Sequence, residues 1–386
     1  MNTKRITQQL RSFERLLGAY DLKEPLSRFL TRFFKDNRQM GSNDRRTLSR
    51  WIYNYFRIGN SVRHLPVFDR LAVAEYLCSD DSDVLSVLNT SFLPTIQNSL
   101  TAKIATVEDI YGFHLQDIFP LIDATSVELD RELFLESLLQ QPDLFIRIHP
   151  GKEAVVINCL EQQHIPYRQL EFGCVVLPNG TKLNQYQDLE GKYEVQDFSS
   201  QQTAHYFKAN EGESWWDACA ASGGKSLLLL HRYFGINLLV SDVRASILRN
   251  LDERFDKAGI KQYRRKIIDL TKDPAVILGP ETFDGIILDA PCSGSGTWGR
   301  TPEMMQLFSK AQLTYYVDLQ QQILQQVIKH LKPNAPLIYI TCSVYADENE
   351  KQVAYLETKG LTLEQMDLLE GYHNRADTMF VARLIK

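Results

Sequence analysis

Along the first third of the chain, apolar positions recur every three or four residues. Leu10, Phe13, Leu16 and Leu17 do so first, and Leu26, Phe29, Leu30 and Phe33 fall at i, i+3, i+4 and i+7. That period belongs to a helix with one buried stripe. In SNDRRTLSRWIYNYFR (42–57) a cap-forming Ser/Asn/Asp group precedes Leu48, Trp51, Ile52 and Tyr55, which share a face. Arg45, Arg46, Arg50 and Arg57 lie on or around the opposite face. Residues 1–135 are therefore expected to be helical.

The pattern then changes twice. Over 136–200 it becomes short runs of β-formers at Leu144–Ile148, 167–170 and Cys174–Leu177, with a helical stretch at 152–163 and an Asn179-Gly180 turn. This predicts a small α/β module. From Glu213 onward strands alternate with helices. The strand candidates are 214–219, 236–242, 264–269, 284–291, 336–343 and 378–384, and the intervening helices include 225–233, 244–258, 312–330 and 347–359. Alternation of this kind predicts a parallel sheet with helices on both faces, whose ligands sit at the carboxyl ends of the strands.

Composition narrows the class. At 386 residues the chain has room for two or three domains, and 44% hydrophobic with 24% charged residues is an ordinary globular balance. Six cysteines, none in a C-x-x-C pair, argue against a disulfide scaffold and against a clustered zinc site. The first twenty residues lack the apolar core of a signal peptide, and no run of 18 apolar residues occurs. The expectation is a soluble protein of the reducing cytoplasm, without membrane or metal. Charge is uneven: residues 1–60 hold 13 Lys/Arg against 5 Asp/Glu, although the whole chain carries −5. A basic segment on an acidic body suits a nucleic-acid handle, with a merely solvated helical surface as the alternative.

Five segments carry candidate chemistry. The strand-to-helix turn from Asp217 to Lys225, DACAASGGK, has Gly223 and Gly224 where a backbone must approach a ligand closely. It is neither G-x-G-x-x-G nor a phosphate loop, which disfavours nicotinamide dinucleotides and ATP. Eighteen residues after Gly224, Asp242 ends the next strand, where a carboxylate can accept both ribose hydroxyls or simply cap the helix that follows. Asp269 ends the third strand in the same way and can line an adenine pocket or serve as a cap. The sharpest pair is DAPCSGSG (289–296) with TCS (341–343), which puts Cys292 and Cys342 at the exits of two strands. Cys78, Cys159, Cys174 and Cys219 instead read as small core residues.

Two thiols and a carboxylate suit one reaction well. C5 of cytosine is a poor nucleophile, but a thiolate added to C6 makes it enamine-like and able to attack a methyl sulfonium. An acid near N3 stabilises charge on the ring. A second thiol could assist elimination of the first, and a cation such as Lys225 would favour the thiolate.

The blocks DACAASGGK, SDV, IDL, DAPCSGSG and YITCS, in this order and spacing, resemble the Sun/nucleolar-protein family of RNA cytosine-C5 methyltransferases. YEVQDFSSQQTAHYF (193–207) resembles the segment that leads into that family's cofactor turn. The resemblance covers 136–386, and 41–57 is similar to the NusB-like helical domain of bacterial rRNA members. It implies a Rossmann-like class I methyltransferase domain with a mostly parallel seven-stranded sheet at 201–386. Before it would come a small α/β RNA-binding module at 136–200 and a helical NusB-like RNA-binding domain at 1–135. It further implies that Cys342 attacks C6, that Cys292 assists release, and that Asp289, oriented by Lys225, lies between base and cofactor. Cys219, Ala220, Ala221, Ser222, Gly223, Gly224 and Lys225 would wrap the methionine part of S-adenosylmethionine. Asp242 would hold its ribose, and Asp269 would lie near the adenine. Ser222 stands where the family usually has proline, and Thr297-Trp298-Gly299-Arg300 departs from its usual aliphatic-then-basic run.

The function expected from this is methylation of a cytosine in small-subunit (16S) rRNA by a monomer. Arg45, Arg46, Arg50 and Arg57 would contact RNA phosphates. The alternatives are transfer RNA as substrate, or a non-catalytic assembly factor on the same fold. A DNA cytosine methyltransferase would instead use the Pro-Cys thiol as nucleophile and leave the Thr-Cys block unexplained.

Overall fold

The computed structural model describes residues 3–386 and divides into two compact units. The first comprises Met1–Asp123, Asp130–Gln141 and Thr297–Lys310. Its longer helices are Thr3–Ala19, Leu26–Asp36, Ser42–Arg57, Val67–Cys78, Leu100–Tyr111 and Arg131–Leu138. The apolar stripes read from the sequence meet here: Leu10, Phe13, Leu16, Leu26, Phe29, Leu30, Phe33, Leu48, Trp51 and Ile52 are all buried in one core. Phe13 meets Trp51 edge to face at 6.1 Å, an arrangement that adds to plain burial.

The second unit comprises Ala124–Leu129, Pro142–Gly296 and Ala311–Lys386, and it holds two sheets. The smaller contains β1 (Leu144–Ile148), β2 (Arg168–Gln169), β3 (Cys174–Leu177) and β4 (Tyr193–Val195) in the order β2-β3-β1-β4, all antiparallel. Ile146, Ile148, Val175 and Leu177 pack there on Val156 and Leu160 of the helix Glu153–Gln162.

The larger sheet has seven strands: β5 (Ser214–Asp217), β6 (Asn237–Asp242), β7 (Arg264–Ile267), β8 (Gly285–Asp289), β9 (Pro336–Thr341), β10 (Thr362–Leu369) and β11 (Met379–Ile385). Their order is β10-β11-β9-β8-β5-β6-β7. The pairs β5–β6, β5–β8, β6–β7 and β8–β9 are parallel, and only β11 and β10 run against their neighbours. The order reverses between β5 and β8, which opens a crevice at the carboxyl ends of these strands.

Two sequence readings differ from this structure. The boundaries at 135 and 200 do not coincide with the partition into units, and residues 297–310, read as part of the carboxyl-terminal domain, belong to the helical unit. Trp298 explains the second difference: it is buried against Phe119 and Phe308, with ring centroids 5.0 and 5.1 Å away. Glu303 accepts from the Leu26 amide at 3.0 Å, and Gln306 donates to the Gly59 carbonyl at 2.8 Å. Strands β4 and β10 were not read from sequence. β4 is three residues long, and β10 (TLEQMDLL) is a partly exposed edge strand with a bulge between Leu363 and Gln365, which blurs its alternation.

Candidate active site

The turn after β5 is fixed from several sides. The Ala218 amide donates to Ile287 at 2.9 Å, Ala220 to Ser241 at 2.9 Å, and Ala221 to the Asp242 carboxylate at 3.1 Å. Ala221 itself sits at φ +46°, an unusual conformation for a residue with a Cβ and one that recurs at ligand sites. Gly223 has φ +82°, and a Cβ there would stand 2.6 Å from Phe255 and 2.9 Å from Leu251, so only glycine fits before the helix Gly224–Arg232. Ser222 accepts a hydrogen bond on its hydroxyl from Arg254 at 3.2 Å. That gives the departure from proline a physical use: the hydroxyl ties the turn to the next helix, Ala245–Lys257.

The carboxylates of the rim have distinct partners. Asp242, 5% exposed, accepts from the Arg244 amide and guanidinium as well as from Ala221. Burial alone would raise its pKa, but the Arg244 hydrogen bonds and charge hold it below the usual range. Asp269 caps its own turn, accepting from Thr271 N and Oγ1 at 3.1 and 2.6 Å, and these bonds lower its pKa. It also lines the crevice. Lys225, 9% exposed, donates to Asp289 at 2.9 Å. Burial would depress the ammonium pKa, but the charge and hydrogen bond of Asp289 prevail, with Cys342 adding to them, and hold it above an ordinary lysine.

The two thiols come together. Cys342 follows the end of β9 directly, and Cys292 lies three residues past the end of β8, the parallel neighbour of β9. Their Sγ atoms are 3.3 Å apart. The Cys292 thiol is pushed up by its hydrogen bond to Cys342, by burial and by the charge of Glu348. Gly296 allows this closeness: its amide donates to the Cys342 carbonyl at 3.0 Å, and a Cβ on it would meet the Thr378 carbonyl oxygen at 1.9 Å. Burial pushes up the Cys219 thiol, in keeping with an unreactive wall residue.

A cavity of about 440 Å³ connects these groups, bordered by Cys219, Asp242, Ile268, Asp269, Asp289, Cys292 and Cys342. Of the turn residues, Ala218, Cys219 and Ala221 border it, whereas Ala220, Ser222, Gly223, Gly224 and Lys225 lie outside its wall. The sequence reading missed Arg244 and the buried Glu348. Neither belongs to a block with obvious chemistry, and only folding shows what they touch.

The four candidate RNA-binding arginines differ in environment. Arg46 is exposed. Arg50 pairs with the fully buried Glu75 at 2.9 Å, and Arg45 donates to the Met40 carbonyl at 2.9 Å. Arg57 corrects the sequence reading. It is wholly buried, donating to the carbonyls of Leu138 and Gln140 at 2.9 and 3.0 Å and to the Gln141 side chain at 2.7 Å, so no phosphate reaches it.

A parallel sheet of this order, with a glycine turn after its first strand, an acidic end to its second and a ligand-sized crevice at the reversal, defines a Rossmann-like class I methyltransferase fold. Residues 204–384 match the family model for the 16S rRNA methyltransferase RsmB/F. The ribosomal RNA small subunit methyltransferase B of Shewanella oneidensis is 35% identical over 213 residues, 51% of this chain and 49% of that protein. The chain spans about half the length of the curated relatives it matches. Among solved structures, the protein PH0851 aligns over 96% of both chains with a TM-score of 0.71 at 22% identity. NSun6 from Pyrococcus horikoshii aligns over 67% of this chain and 94% of its own, with a TM-score of 0.60 at 17% identity. These two likenesses speak to the fold.

Proposed function

We propose that the chain transfers a methyl group from S-adenosylmethionine to C5 of a cytosine in small-subunit rRNA. The observation that carries this reading is the pair of thiols in contact at 3.3 Å beside the Lys225–Asp289 ion pair, at the edge of the crevice.

The crevice suits the cofactor. Its volume of about 440 Å³ falls in the range for small-molecule sites. Asp242 is a natural acceptor for ribose hydroxyls once the largely exposed Arg244 side chain yields, and Ile268 and Leu270 offer an apolar bed for the adenine. Asp269 borders that bed, and the turn from Cys219 to Lys225 wraps the methionine end. When bound, S-adenosylmethionine supplies an electrophilic methyl group.

The protein's own residues do the rest. Lys225 holds Asp289 toward the base. Cys342 adds to C6 of the cytosine, C5 takes the methyl group, and C5 then gives up its proton to water as its electron pair re-forms the C5–C6 double bond and expels the Cys342 sulfur. Cys292, held as a thiol, donates its hydrogen bond to the Cys342 sulfur as the C6–S bond breaks. The cytosine must leave its stack to enter, which favours a loop or unpaired site. The exposed arginines of the helical unit contact RNA phosphates, and the chain acts as a cytoplasmic monomer. Among the described residues no helix is long and apolar enough to cross a membrane, and no group of acidic, histidine and cysteine side chains is arranged to hold a metal.

Bisulfite sequencing of total RNA from cells with and without the protein tests this reading. Loss of protection at one small-subunit rRNA cytosine is expected. Loss at a transfer RNA position instead would keep the chemistry and replace the substrate, and no change at any cytosine would overturn both.

A further inference from the structure

Each cysteine of the pair is followed by a serine, and both serines end on one carboxylate. Ser293 donates to Glu348 through its amide at 2.8 Å and through its hydroxyl at 2.5 Å. Ser343 donates its hydroxyl to the same oxygen as the Ser293 hydroxyl. Gln320 donates to the other oxygen at 3.2 Å and, with the same amide nitrogen, to the carbonyl of Pro291 at 3.1 Å, the residue before Cys292. Ser295 lies within 3.0 Å of the Ser293 hydroxyl and 3.1 Å of the Ser343 hydroxyl, and it accepts from the Val344 amide at 2.9 Å. The carboxylate is anchored in turn. The Glu348 carbonyl accepts from Tyr339 of β9 at 2.7 Å, and the neighbouring Asn349 joins Thr341 and the Ser343 carbonyl.

Glu348, Ser343, Ser295 and Gln320 are 0% exposed. The partners named above are all neutral, so hydrogen bonds alone, with no opposite charge among them, oppose the desolvation of a charge. A buried carboxylate in such a place is costly, yet an apolar residue there would leave four buried donors without an acceptor. What four converging donors give is a fixed geometry, because charge-assisted hydrogen bonds are short and directional. The objects being fixed are the two loops that carry the thiols.

We propose that Glu348 is a positioning residue for the two-thiol chemistry: by accepting from Ser293 and Ser343 it clamps the exits of β8 and β9 so that the Cys292 and Cys342 sulfurs stay in contact. Its effect on turnover rests on the methyl-transfer reading above, whereas its effect on geometry does not. Burial pushes the Glu348 pKa up against the opposing pull of the serine and glutamine hydrogen bonds. Its charge in turn helps keep Cys292 a thiol.

The test uses the full chain with Glu348→Ala, Glu348→Gln and the double variant Ser293→Ala/Ser343→Ala. Two readouts are taken. One is the rate at which diamide couples Cys292 to Cys342, each thiol giving up one hydrogen to the diazene, which becomes the hydrazine as the S–S bond forms. The linked peptides are identified by mass spectrometry. The other is kcat and KM for methyl transfer to small-subunit rRNA. Glu348→Ala and the double serine variant should slow coupling about tenfold or more and lower kcat about a hundredfold, with KM for S-adenosylmethionine within about twofold, as expected for a shift of reacting atoms by an ångström. Glu348→Gln keeps an acceptor toward the Ser293 amide, and the serine hydroxyls can turn to accept from its amide, so coupling should stay within about threefold of the parent. If Glu348→Ala does not fold, the double serine variant decides. Parental coupling and parental kcat in the broken-clamp variants would overturn the proposal. Slowed coupling in a protein that methylates no RNA, parent included, would uphold the clamp and overturn the methyl-transfer reading.

Discussion

Asp217 shows how far a single residue departs from what its position in the chain suggests. It ends β5, is fully buried, and accepts from the Ser226 hydroxyl. Burial pushes its pKa from 3.8 up to about 7, against the pull of that hydrogen bond. The folded state therefore holds a proton that the unfolded chain releases near pH 4. Stability is full below the unfolded value, falls as pH rises from about 4 to about 7, and levels off above that. Asp217→Asn lacks this penalty. Relative to the variant, the parent should lose on the order of 3 kcal/mol between pH 4 and pH 8. Denaturant unfolding of both proteins at the two pH values measures the difference, and parallel profiles would refute the assignment. Residue chemistry of this kind was partly legible: the acidic end of a strand before a glycine turn stood out, but not the depth of burial that decides its protonation. Cys292 and Cys342 were legible as a pair because the motifs place both at strand exits. Glu348 was not, because one acid in ADENE resembles any solvated acidic stretch until the fold buries it.

At the scale of elements, the helix Ser42–Arg57 is the instructive case. Its apolar stripe was correctly read, since Leu48, Trp51 and Ile52 are buried. The opposite face was not uniform, because helical periodicity records only the largest buried surface. Residues 138–141 cover the far end of the helix and take up Arg57. The two arginines should therefore behave differently when replaced. Arg46→Ala should leave stability nearly unchanged, weaken binding to small-subunit rRNA, and reduce by about one the slope of log affinity against log salt. Arg57→Ala should instead lower stability by about 3 kcal/mol, since it orphans buried carbonyl oxygens, and leave the salt slope of the folded fraction unchanged. Equal effects of both on the salt slope would refute this division. Strands followed the same logic: β5, β6, β8 and β9 are buried runs and stood out, but the half-exposed β10 did not.

The whole molecule combines a legible fold with a partition that the sequence concealed. Alternating strands and helices after Glu213 specified a parallel sheet, and the sheet's topology then brought five separate motifs to one crevice. The return of residues 297–310 to the helical unit was hidden because a buried tryptophan after the Ser-Gly-Ser-Gly run carries no local sign of which core it enters. In the proposed reaction the two thiols carry the chemistry, and the identity of the attacking sulfur tests it most directly. The Cys292→Ala variant is incubated with S-adenosylmethionine and small-subunit rRNA, and the residue that carries the RNA is mapped by mass spectrometry. A covalent adduct on Cys342, lost in Cys292→Ala/Cys342→Ala, is the predicted result. No adduct with Cys292→Ala, combined with an adduct on Cys292 when Cys342→Ala is used instead, would contradict the account.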